Sequence, residues 1–94
     1  MEMIQRSKDD GTIVLCAVSE KRHTLSKDEE EQLASAIRSC VPGGWTCSAK
    51  HETSRVERGE FAGNQQVTLV VTPPSTCCHT NACKMLRAAR FKTS

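Results

Sequence analysis

Apolar and polar positions follow two different periods along this chain. Ile13-Val14-Leu15-Cys16-Ala17-Val18 and the run from Gln65 to Thr72 are rich in apolar residues on both faces of an extended backbone, the pattern of central strands. Trp45-Thr46-Cys47-Ser48-Ala49 alternates instead, with Lys50 and Glu52 turned outward, and predicts a half-exposed edge strand over 45–56. Met3 to Ser7 is a weaker strand. Lys8-Asp9-Asp10-Gly11 joins it to the run from Thr12, and the Asp-Gly pair predicts a type I′ hairpin turn. Leu33, Ile37, Cys40 and Val41 recur at i, i+4, i+7 and i+8, which predicts an amphipathic helix of about 15 residues. Ser26 and Glu29 form a capping box at its start, Glu30 and Glu31 suit its dipole, and Pro42-Gly43-Gly44 ends it. A second helix is predicted from Thr80 to Phe91, with Ala82, Met85, Leu86 and Ala89 inward. Leu15, Leu33, Ile37, Val41, Val67, Leu69, Met85 and Leu86 are the expected core.

The element order is ββαββα in one domain spanning 1–94. Hairpin adjacency and crossover handedness favour an α+β two-layer sandwich. In this plan a four-stranded antiparallel sheet carries both helices on one face, as in a ferredoxin-like split β-α-β fold. Strands 12–18 and 66–72 occupy the centre, and strands 2–7 and 45–56 the edges. One sheet face is then left open, with Val14 and Val18 on it. Such a face is covered by a loop or used in homo-association.

Composition changes this picture in one respect. The chain has one Trp, two Phe and no Tyr, so large rings contribute little to a core that is already small in a 94-residue domain. Six cysteines are the natural compensation. The preferred reading is a disulfide-stabilised fold using Cys16, Cys40, Cys47, Cys77, Cys78 and Cys83. Cys16–Cys83 forms one bridge, and the other four cysteines, gathered at one end of the domain, form two more. Each bridge contributes roughly 2–4 kcal/mol. The alternative is zinc held by Cys47, His51, Cys78 and Cys83, although neither ligand spacing is that of a zinc knuckle. No other cofactor is expected. His23, in a polar loop, reads as solvated.

Catalytic signatures are absent. His79 beside Cys78 suggests a thiol nucleophile, but nothing at a recognisable spacing would orient the imidazole, and the expectation is a non-enzyme. Gly43-Gly44 follows a helix and opens a strand, the wrong context for a phosphate loop. No apolar run is long enough to span a membrane. Met1 to Arg6 is too short and polar for a signal peptide, so the cysteine density suggests a mature secreted form with an added initiator Met. Charge is uneven. Residues 1–31 hold eight acids and five bases, whereas Lys84, Arg87, Arg90 and Lys92 follow Phe61 with no acid among them. Lys84, Arg87 and Arg90 are the candidate partner-binding residues. They lack interleaved stacking aromatics, so nucleic acid is not the expected partner.

A cysteine inside an early strand (Cys16), another closing the first helix (Cys40) and a group leading into the second helix (Cys77, Cys78, Cys83) give a pattern that resembles the small secreted α/β proteins of fungi. These are the virus-encoded killer toxins and the plant-pathogen effectors that share their split β-α-β fold. The resemblance implies a secreted, non-enzymatic, virulence-associated protein that acts on another cell through a protein or cell-surface target. The alternative class is an intracellular zinc-binding adaptor for nucleic acid or protein.

Overall fold

The structure, a computed structural model, describes residues 1–93. β1 (Glu2–Ser7) and β2 (Ile13–Val18) form an antiparallel hairpin in which Ser7 faces Ile13. α1 (Lys27–Cys40) follows, then two short strands, β3 (Thr46–Cys47) and β4 (Glu52–Arg55). β5 (Gln65–Thr72), α2 (His79–Ala88) and β6 (Lys92–Thr93) complete the chain. The sheet runs β3-β5-β2-β1-β6, and β4 also pairs with β5.

This corrects the expected four-stranded antiparallel sheet in two places. Lys92 and Thr93 add a sixth strand, parallel to β1 through the Ile4–Lys92 and Gln5–Thr93 pairs, so the sheet is mixed. The predicted edge strand 45–56 is split. Ser48 breaks it by taking over the ladder: its amide donates to the Val70 carbonyl at 2.8 Å, and its hydroxyl accepts from the Val70 amide at 3.1 Å.

Both turn and helix ends follow from local chemistry. The Lys8–Thr12 connection is not a type I′ turn, because among the described non-glycine residues only Arg90 has positive φ. Gly11 alone takes the left-handed conformation here, at φ 86°, after its amide donates to the Lys8 carbonyl, giving a three-residue loop of the type I plus bulge kind. The α1 capping box forms as expected, with Ser26 Oγ accepting from the Glu29 amide and Glu29 Oε1 accepting from the Ser26 amide. α2 ends three residues before its predicted limit. The Phe91 amide donates to the Leu86 carbonyl (2.9 Å) and the Arg90 amide to the Arg87 carbonyl (3.0 Å), with Arg90 at φ 76°. That is a Schellman motif, and its apolar clasp is the buried pair Leu86 and Phe91.

The main core lies between the sheet and both helices. Leu15, Ile13, Val67, Leu69, Ile37 and Leu86 fill it together with Phe91, which the helix pattern did not place there. Leu33 and Val41 are only partly buried at its margin, and Met85 is 41% exposed, contrary to expectation. On the other sheet face Cys16, Val18 and Val56 make a second, smaller core, flanked by Ile4, Val14 and Phe61. The 56–64 connection therefore covers part of the face that the two-layer plan left open. No helix is long and apolar enough to cross a membrane among the described residues.

Candidate functional site

The cysteines do not form the expected framework. All six are free thiols, with none bonded to another. The Cys16–Cys83 bridge fails on the alternation of β2. Leu15 and Ala17 face the helices, so Cys16 points to the opposite face and packs with Val18 and Val56. Cys83 lies on α2, across the sheet, with its carbonyl bonded to Gln5. Burial pushes the Cys16 thiol pKa up, with Arg6 pulling the other way. Cys40, Cys47 and Cys77 pack, partly buried, against the main core, and Cys78 is the exposed N-cap of α2. Stability in the structure comes from packing, not from cross-links.

The zinc alternative is scattered too. Cys47 sits in β3 and Cys83 lies above β1, three strand spacings apart, or about 14 Å at the usual 4.8 Å each. His51 Nε2 is turned to Glu30 Oε1 at 3.4 Å, and no group of three or more His, Cys, Asp or Glu side chains is placed to hold a metal among the described residues.

One thiol–imidazole pair does form, and it is not the adjacent pair Cys78 and His79. Neighbours on a helix point about 100° apart, whereas residues four apart share a face. Accordingly Cys83 Sγ lies 3.5 Å from His79 Nε2, and Ser7 Oγ lies 3.3 Å from the same nitrogen. The i, i+4 spacing was the available signal. The thiol and the hydroxyl compete for one ring nitrogen, and the histidines that meet carboxylates are His23, with Glu29, and His51, with Glu30. His23 is thus bound to the α1 cap at 2.7 Å, not merely solvated. The relay of nucleophile, base and orienting acid that acyl transfer uses is not assembled at His79.

Lys84, Arg87 and Arg90 stand on the outer side of α2 and its C-terminal turn, all exposed. They have no ion-pair partner among the described residues, whose pairs are Met1–Glu20, His23–Glu29, His51–Glu30 and Lys92–Glu2. Lys92 leaves the row: it belongs to β6, and its ammonium meets Glu2 at 3.0 Å. Arg87 and Arg90 border a shallow depression with Phe91 and Thr93. Arg90 occupies the position in the Schellman motif that glycine takes most readily, since an L side chain there is strained. The row is thus a one-signed patch that ends on a strained arginine.

No family model, curated protein or solved structure matches this chain.

Proposed function

We propose that this protein is a secreted, effector-like or toxin-like protein that acts non-enzymatically on another cell, by binding an anionic surface of a target protein through Lys84, Arg87 and Arg90. The observation that carries the binding surface in this reading is the conformation of Arg90. Holding a side chain in the left-handed region costs about 1–2 kcal/mol, and glycine would avoid that cost. Strain of this kind collects at functional positions. The arginine displayed there lies beside Arg87, and neither has a carboxylate partner among the described residues. Planar guanidinium groups pair with carboxylates and phosphates in two-bond geometry, so a pair of them suits an acidic protein surface.

The test is charge reversal. Labelled wild-type protein and the Arg87→Glu/Arg90→Glu variant are applied to intact plant and yeast cells, and binding and growth inhibition are scored. The variant should lose binding and toxicity while its melting temperature stays close to that of the wild type. Undiminished activity in a folded variant would overturn the reading. Tight binding of nucleic acid with a steep salt dependence would move the protein to the adaptor class.

A further inference from the structure

We propose that the cleft between the 56–64 loop and the β1–β6 side of the sheet binds a small amphipathic anion: an apolar or aromatic body bearing a carboxylate, sulfonate or phosphate head. The cleft lies on the sheet face opposite the helices and meets the depression beside Arg87 and Arg90 at Lys92 and Thr93; its volume is about 410 Å³, within the range of small-ligand sites. Ile4 from the sheet and Phe61 from the loop offer partly exposed apolar surface, over a floor of buried Val18 and Val56. These side chains suit an apolar body.

The charges at the mouth suit an anionic head. Arg6 and Arg58 both border the cleft, and neither has a carboxylate within ion-pair distance among the described residues. Three carboxylates lie nearby. Glu2 is neutralised by Lys92, while Glu60 borders the cleft and Glu57 the basin that adjoins it. That basin shares both arginines and adds Lys8, so cations outnumber acids along the whole groove. Arg6 also acts on the buried Cys16 thiol, which places its charge over this sheet face. Gln66 borders the same basin. Its amide nitrogen donates to Ser54 Oγ at 3.3 Å, which fixes the side chain in the wall of the basin.

The loop is held in place before any ligand arrives. The Val56 amide donates to the Asn64 carbonyl (2.9 Å), the Gly63 amide to the Val56 carbonyl (2.8 Å), and the buried Asn64 Nδ2 to the Ser19 carbonyl (2.7 Å). Arg22 adds a bond to the Ala62 carbonyl at 3.1 Å. A cleft built on such a loop gives up little conformational freedom on binding.

The probe is 8-anilinonaphthalene-1-sulfonate, whose N–H sits next to its sulfonate. Its neutral relative N-phenyl-1-naphthylamine has the same rings and no anion. Fluorescence titration of the folded protein should show one saturable site for the sulfonate, with the neutral compound weaker by about tenfold. Arg6→Gln and Arg58→Gln should each weaken the sulfonate by about three- to tenfold with an unchanged melting temperature, and Phe61→Ala should weaken both probes. Arg87→Glu/Arg90→Glu, whose side chains do not line the cleft, should change the affinity by less than either Arg→Gln variant, which separates this site from the α2 patch. Equal affinity for the two probes, wild-type affinity in both arginine variants, or no saturable binding would each overturn the proposal.

Discussion

Gln5 Nε2 donates to the carbonyls of both Phe91 (2.9 Å) and Cys83 (3.1 Å), so one buried amide on β1 ties together the last helix and the last strand. Gln5→Ala removes the donor and leaves two carbonyls without it. The expected cost is about 1–3 kcal/mol. At about 4–8 °C per kcal/mol for a domain of this size, the melting temperature should fall clearly. An unchanged melting temperature would mean that water replaces the amide freely.

Arg90→Gly should raise stability by about 1 kcal/mol, because glycine adopts the left-handed conformation without strain. The same change should weaken target binding by the α2 patch. A variant that is no more stable would show that the arginine pays no conformational penalty at φ 76°.

Ile37, fully buried between α1 and the sheet, should cost about 2–5 kcal/mol when changed to Ala. Chemical denaturation gives the value directly. A loss below about half a kcal/mol would be incompatible with the packing described.

Four carboxylates titrate below their ordinary range. Asp10 is lowered by hydrogen bonds from Thr12, Glu20 by the N-terminal ammonium, Glu29 by the Ser26 amide and then His23, and Glu30 by the Thr53 hydroxyl and then His51. A lowered folded pKa means stability that is fully present above the unfolded value, about 3.9 for Asp and 4.3 for Glu. That stability is lost as pH falls through the folded values. The melting temperature should therefore decline from about pH 4.5 downward, modestly because these groups are exposed and screened. Glu29→Gln, which can still cap α1, should flatten the decline. A flat profile down to about pH 2 in the wild type would contradict the assignment.

Thiol counting checks the cysteine arrangement. Alkylation after unfolding without reductant should add six adducts, and in the native protein exposed Cys78 should react well before Cys16, which is 1% exposed with a raised pKa. Fewer than six adducts would show that bridges exist.

Much of the scaffold was legible because its signals are local. Ser26 and Glu29 announce the start of α1, and the doubly apolar runs mark β2 and β5 as interior strands. What escaped is non-local or carried by few residues. β6 has two residues and no pattern of its own; it exists because Arg90 turns the chain back and Gln5 receives it. The Cys16–Cys83 pairing conflicts with strand alternation, since Leu15 and Ala17 face the helices and turn Cys16 to the opposite side. Val56 falls at the end of the predicted edge strand, and Phe61 lies outside every predicted element. Their role over the open face depends on how the 56–64 loop folds back, which no periodicity encodes. At the candidate patch the sequence supplied the three cations, and the backbone strain at Arg90 required the structure.

The two outer margins of the sheet, one a two-residue strand and the other interrupted at Ser48, also decide how this protein meets its own kind. Molecules polymerise through sheets when each offers a long, straight row of unpaired amides and carbonyls to the next. Among the described residues one margin is formed by Lys92 and Thr93, and the other is broken between the short strands Thr46–Cys47 and Glu52–Arg55. Among the described residues, neither of these short strands gives an incoming strand a long run to template on, so they are poorly suited to seeding fibres even in a crowded solution.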